Sequence, residues 1–295
     1  MKKAKRNIKR KKNKRTNFII LTKLILFIAV VSTVFAIIIN QKEASKKTDT
    51  TVSETQTEKK TDSFDGIPVI NDNRGVPVIC YHSINPDSSK KNSIIMPKEK
   101  FREQLKTIKD SGYTTLTMAQ LNDYLFNNKP IPEKSVVITF DDGYRDNYTN
   151  AFPILKEFNM NATIFVISSY LNRDLYLTSE EIKEMSDYGL DIESHTVSHV
   201  KLSTLPYEAQ LKELKNSKET IENITGKPVI SIAYPEGKYN KDTKKATLEA
   251  GYSMGFTIER GYADRNDNPA QLNRICVDYT YKPNNIINVL KNLKK

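Results

Sequence analysis

The chain has 295 residues, with 46 Lys and Arg against 35 Asp and Glu, for a formal net charge of +11. That length allows one large domain or two small ones, 15 Tyr and 11 Phe supply bulk for a core, and no internal period points to a solenoid or propeller. The charge would suggest a polyanionic partner, but residues 1–15 hold ten of the basic residues and no acid, leaving 36 basic against 35 acidic over 16–295, a net of +1. The body of the chain therefore lacks the footprint of a nucleic-acid-binding fold.

Residues 1–17 read as a basic arm. Residues 18–39 (FIILTKLILFIAVVSTVFAIII) carry one charge, Lys23, in a run long enough for the ~20 apolar residues of a spanning helix. The positive-inside rule places the arm in the cytoplasm and everything after Ile39 outside, a single-pass cell-membrane topology with an extracellular catalytic domain. A cleaved signal peptide is the competing reading, with Val34-Phe35-Ala36 as a poor cleavage site. Residues 40–63 are polar and read as a disordered linker. The globular part is 64–295, close to the ~250 residues of a strand-and-helix barrel.

Within it, strand-like and helix-like runs alternate. Val76–Tyr81 is a short apolar run. Pro97–Ser111 has Phe101, Leu105 and Ile108 at helical spacing and stops at Gly112. Tyr113–Leu116 is extended and Met118–Phe126 helical. Ser135–Phe140 (SVVITF) is a buried strand by its β-branched content. Asn147–Phe158 is a helix, Ala162–Ile167 a strand, Ser179–Tyr188 a helix closing at Gly189, and Leu190–Glu193 a brief strand. Pro206–Ile224 is an amphipathic helix stopping at Gly226. Val229–Ala233, Lys241–Ala250, Ser253–Thr257, Arg274–Val277 and Asn284–Leu293 complete the series as strand, helix, strand, strand and helix. Such alternation implies parallel strands with helices outside, hence an α/β barrel, complete or incomplete. An open doubly wound sheet ranks second, because no Gly-rich phosphate loop follows any strand. Cys80 and Cys276 sit in apolar strand-like runs and read as two buried thiols rather than a disulfide.

The three histidines, His82, His195 and His199, each lie just after or at the end of a predicted strand. In a parallel barrel those ends share the face where active sites sit. His195-Thr-Val-Ser-His199 has the i,i+4 spacing that lets two imidazoles face one ion from a helical turn or tight loop, a weak signal when alone. The strand Val136–Phe140 ends in Asp141-Asp142-Gly143-Tyr144. Adjacent carboxylates at a buried strand's mouth leave on opposite sides, so one can reach a cation while the other faces a bound water. An ordinary Asp-Asp-Gly turn is the bland alternative.

Thr139-Phe140-Asp141-Asp142-Gly143-Tyr144 followed some fifty residues later by His195-Thr-Val-Ser-His199 resembles the polysaccharide deacetylases of the NodB-homology type, carbohydrate esterase family 4, over most of residues 76–280. The resemblance implies a distorted (β/α) barrel of about seven strands. It implies a divalent metal, usually zinc, on Asp142, His195 and His199, with Asp141 as general base. Two departures stand out. The usual Arg before a Pro-Tyr-Gly-like turn is missing from Ile232-Ala233-Tyr234-Pro235-Glu236-Gly237. The usual His after Leu near the C-terminus is missing from Leu272-Asn273-Arg274. Both, with Cys80-Tyr81-His82-Ser83-Ile84, resemble the branch of biofilm poly-N-acetylglucosamine deacetylases. By that analogy His82 supplies the acid and Arg274 pairs with Asp141; a capped strand-end histidine and a surface ion pair are the plainer readings. In this scheme the Tyr234 N–H holds the oxyanion, and Tyr81, Tyr144 and Tyr234 offer stacking faces for sugar rings. The expected activity is removal of N-acetyl groups from N-acetylglucosamine-containing cell-surface polysaccharide, releasing acetate. The rivals are a peptidoglycan N-acetylglucosamine deacetylase, an O-acetyl esterase of the same fold, and a non-catalytic wall-polymer-binding protein. The expected partners are the N-acetylated polymer and the membrane, with no nucleic acid; the sequence leaves the oligomeric state open.

Overall fold

The computed structural model describes residues 64–86 and 92–292. The expected arm (1–17), anchor (18–39) and linker (40–63) lie outside the described residues. Among the described residues, no helix is long and apolar enough to cross a membrane.

Seven strands form the core: β1 Val78–Tyr81, β2 Ser135–Phe140, β3 Thr163–Val166, β4 Asp191–Ser194, β5 Ser231–Ala233, β6 Met254–Arg260 and β7 Leu272–Cys276. They pair in parallel in the order β1-β7-β6-β5-β4-β3-β2, and β2 pairs back onto β1 to close the ring. The closing registers are Cys80 with Cys276 and Tyr81 with Phe140. A short strand, Thr114–Thr115, flanks the start of β2. The ring is irregular at one seam: between the pairs Phe256–Leu272 and Arg260–Arg274, β6 advances further than β7. The extra residues on β6 make this seam of the barrel irregular.

The pleat sorts the side chains. Val78, Val137, Phe165, Ala233, Phe256 and Leu272 point inward into one cluster. Ile79, Tyr81, Ile138, Phe140, Ile164, Ile232 and Ile275 point outward beneath the helices. Those helices are α1 Lys98–Asp110, α2 Met118–Phe126, α3 Phe152–Phe158, α4 Ser179–Tyr188, α5 Tyr207–Thr225, α6 Lys241–Glu249 and α7 Pro283–Asn292. Their ends follow local chemistry. Thr117 with Gln120, Thr178 with Glu181 and Asn240 with Thr243 form reciprocal N-terminal caps. α4 and α5 stop at Gly189 and Gly226 in the left-handed conformation, as the sequence predicts. The predicted helix 147–158 instead starts as a π-turn, Asn147–Ala151, before α3. Two small pairings, Ser83–Asn85 with Ile95–Pro97 and Val69–Ile70 with Ile131–Pro132, are too short to show a sequence period.

Gly255 on β6 shows how tightly this frame is packed. A Cβ there would sit 2.2 Å from the Tyr234 hydroxyl oxygen. That hydroxyl is fixed by Thr247 Oγ1 and the Ala270 carbonyl, each at 2.9 Å. Gly255→Ala is expected to lower stability by about 1–3 kcal/mol, the usual range for overpacking. The check is a lower urea midpoint with an unchanged slope.

Candidate active site

The carboxyl ends of the strands gather the titratable groups. The Asp141 N–H donates to the Tyr81 carbonyl at 2.9 Å, extending the β1–β2 ladder by one residue and keeping the side chain inside the barrel. There it meets Arg274 of β7, which is fully buried. Nη1 donates to Oδ1 and Nη2 to Oδ2, each at 2.7 Å, a bidentate pair. Arg274 Nε donates to the Thr257 carbonyl at 2.9 Å and Nη1 to Thr139 Oγ1 at 3.3 Å. Burial pushes the Asp141 carboxyl up, but the guanidinium outweighs it and holds the group at about 2. The structure thus sets against each other the two residues that the sequence could pair only by analogy.

Asp142 turns away from its neighbour through a left-handed backbone, φ +73°. Gly143 follows at φ +70°, with Val166 3.0 Å from where its Cβ would be, so a side chain would crowd the exit. Asp142 Oδ1 lies 3.3 Å from Nε2 of both His195 and His199. His195 is buried, and its Nδ1–H donates to the Ala233 carbonyl at 2.7 Å, which aims Nε2 at the carboxylate. His199 sits in a loop rather than a helical turn, with Thr196 and His199 both at positive φ. Thr196 Oγ1 accepts from the His199 N–H, and Glu213 accepts from the Val197 and Ser198 N–H groups. Burial pushes Asp142 up, but hydrogen bonds from the two imidazoles hold it well below the usual carboxylate range. Burial lowers the His195 pKa, but Asp142, Asp141 and the Ala233 carbonyl together raise it. One ligand atom from each residue lies within 4.8 Å of the others. Two imidazole nitrogens and a carboxylate oxygen converging in this way fit a divalent metal.

His82 follows β1 and lines the same pocket, a cavity of about 450 Å³. Burial lowers its pKa, with Asp141 and Asp142 opposing in part. Its carbonyl accepts from Asn147 Nδ2, and the Asp146 carboxylate accepts from Ser83 Oγ and the Ile84 N–H. Asp146 and Asn147 therefore fix the His82 segment. No local pattern marks this role: Asn147 reads as the start of a helix and Asp146 as the residue before it.

Three expectations are corrected. The Tyr234 N–H donates to the Phe256 carbonyl at 3.0 Å in the β5–β6 ladder, so it is not open to an oxyanion. The Tyr234 ring is fully buried, as is that of Tyr81, whose hydroxyl donates to Gln104 Oε1 at 2.8 Å; neither offers a stacking face. Of the three tyrosines only Tyr144 reaches the pocket, where it is stacked on Tyr176 at 5.4 Å and the Asp142 carboxylate helps burial to raise its pKa. Cys276 is exposed because it ends β7 at the barrel mouth, whereas Cys80 is buried as expected. Glu236, Ile258 and Asp278 also line the pocket, and no sequence signal marked them.

Removing the guanidinium with Arg274→Met strands a buried carboxylate, so a loss of about 3–5 kcal/mol at pH 7 is expected. Because Asp141 is depressed in the folded state, its stabilisation is full above the unfolded carboxyl value of about 3.9. It fades as pH falls through the folded value of about 2. The gap between wild type and variant should therefore narrow in urea titrations run below pH ~4.

A family model described as polysaccharide deacetylase matches residues 128–255. YxkH of Bacillus subtilis (strain 168) is 42% identical over 202 residues, 68% of this chain and 71% of its own. The poly-beta-1,6-N-acetyl-D-glucosamine N-deacetylase of Staphylococcus aureus (strain MSSA476) is 29% identical over 194 residues, 61% of this chain and 67% of its own. Among solved structures, the Streptococcus pyogenes deacetylase PplD in complex with acetate superposes with a TM-score of 0.72 at 31% identity, covering 75% of this chain and all of that one. Sequence, closed barrel and pocket agree, and the chain belongs to the NodB-type polysaccharide deacetylases of carbohydrate esterase family 4, as a polysaccharide N-deacetylase.

Proposed function

We propose that the protein is a metal-dependent enzyme of the cell surface that removes N-acetyl groups from poly-β-1,6-N-acetylglucosamine, held at the membrane by residues 18–39. The observation that carries the reading is the pairing of two unlike sites. Asp142, His195 and His199 converge on one point, beside a carboxylate, Asp141, kept ionised by Arg274. The Staphylococcus aureus relative supports the choice of polymer. So does the net charge of +1 over residues 16–295, which suits an uncharged acetylated glycan. Ten basic residues ahead of an apolar run support the membrane topology.

The reaction adds water across the acetamide C–N bond, giving acetate and the amino sugar. A zinc-class ion on Asp142, His195 and His199 would polarise the acetamide carbonyl and acidify a water. Asp141 accepts the proton of the attacking water. Its two bonds to Arg274 fix its plane, and each oxygen keeps a lone pair. His82 returns a proton to the departing nitrogen, which as an amine needs one to leave. Its depressed pKa makes it the stronger acid for that step. Tyr144 lines the pocket beside Asp142, its ring stacked on Tyr176.

The test is acetate release by the full-length chain in detergent from poly-β-1,6-N-acetylglucosamine oligomers, peptidoglycan and an O-acetylated glycan. Release should be fastest from the first, fall at least a hundredfold on chelation, and return with zinc. Asp142→Ala and His199→Ala should lose metal uptake and acetate release together. Full activity after chelation would overturn the metal reading, and faster release from peptidoglycan or the O-acetylated glycan would overturn the choice of polymer.

A further inference from the structure

The mechanism above leaves two nucleophilic side chains unused, and both lie against it. Cys80 and His82 are two residues apart at the end of β1, a spacing that puts side chains on one face of an extended chain. On one side of β1, Cys276 of β7 is in register with Cys80. On the other side, β2 carries Asp141 one residue beyond the Tyr81–Phe140 pair. The ligand atoms of Cys80, His82 and Asp141 all lie within 4.8 Å of one another. Ligands around a tetrahedral ion with bonds of about 2.0–2.3 Å stand about 3.3–3.8 Å apart, so small side-chain rotations would close the cluster.

We propose that Cys80, His82 and Asp141, with Cys276 at the open edge, form a second cation site for thiophilic divalent ions of the zinc and cadmium class, and that filling it stops deacetylation. The donor set decides the class of ion. A sulfur, an imidazole nitrogen and a single carboxylate select zinc or cadmium over magnesium or calcium, which favour oxygen. The site is reachable, because His82, Asp141 and the exposed Cys276 all line the pocket. Binding exchanges the Cys80 thiol proton, released to solvent, for a sulfur–metal bond. It also occupies the His82 lone pair and an Asp141 oxygen. The two groups that move protons would then be bound together, while the Asp142–His195–His199 site stays intact. The inhibition rests on the roles proposed above for Asp141 and His82; the binding does not. The enzyme would thus respond to the free level of the same class of ion that activates it: one equivalent enables it, a second silences it.

The experiment is a cadmium titration of the metal-stripped full-length chain in detergent, followed by ultraviolet thiolate-to-cadmium absorbance and by acetate release in excess zinc. Wild type should take up two equivalents, one of which brings the thiolate band, and excess zinc should slow it at least tenfold. Cys80→Ser should take up one equivalent without the band, keep its basal activity, and stay within twofold in excess zinc. Cys276→Ser, at an exposed position, should weaken the band. Asp142→Ala should keep the band while losing the other equivalent. A band absent from wild type or retained by Cys80→Ser would overturn the site, as would a protein purified with a Cys80–Cys276 disulfide. A band without zinc inhibition would overturn the silencing. A chain that shows the band pattern yet releases no acetate from any glycan would overturn the functional reading and leave the site standing.

Discussion

A guanidinium buried inside a barrel must be neutralised, and in this protein that requirement assembles the site. Arg274 has no solvent contact, and its donors reach Asp141, Thr139 and the Thr257 carbonyl. Removing two charges from water is costly unless the geometry is good and the remaining donors are met. Both conditions hold here because of how the ring closes. β1 lies between β7, which carries the arginine, and β2, which delivers the aspartate. The register shift between β6 and β7 brings Arg274 beside Arg260 while its Nε still reaches Thr257. Barrel closure, the bulge and the ion pair are parts of one arrangement.

From that arrangement two neighbouring carboxylates acquire different work. Asp141 continues the ladder and points inward to a permanent cation, so it remains ionised. Asp142 leaves through a left-handed turn and meets two imidazoles, one of which is oriented by the Ala233 carbonyl. Of the seven non-glycine residues at positive φ among the described residues, four, Asp142, Thr196, His199 and Glu236, border the pocket or its loops. Strain of this kind persists where surrounding bonds hold it, as Glu213 and Thr196 do for the histidine loop.

Much of the frame could be read from the sequence because its determinants are local. SVVITF announces β2 by β-branched content, and Gly189 and Gly226 end helices. The Asp-Asp-Gly and His-x-x-x-His spacings marked five residues from 141 to 199 that the fold brings to one mouth. What escaped depends on neighbours distant in sequence. Whether the Tyr234 N–H is open depends on Phe256, 22 positions on, and on ladder registration. Whether Cys276 is buried depends on where β7 ends. The support of His82 by Asp146 and Asn147 crosses from one strand end to another through side chains that look like helix caps. Arg274 was reachable only through family resemblance, since an isolated arginine after Leu272-Asn273 carries no local signature.

The central claim is that Arg274 and Asp141 act as one unit, and a double-mutant cycle tests it most directly. Asp141→Asn and Arg274→Met, singly and together, would be compared for unfolding free energy at pH 7. Coupling of about 3 kcal/mol or more is expected, with the double variant more stable than Arg274→Met alone because neither change then leaves a buried charge. Effects that add within about 0.5 kcal/mol would contradict it, showing that the two residues stand beside each other without depending on each other.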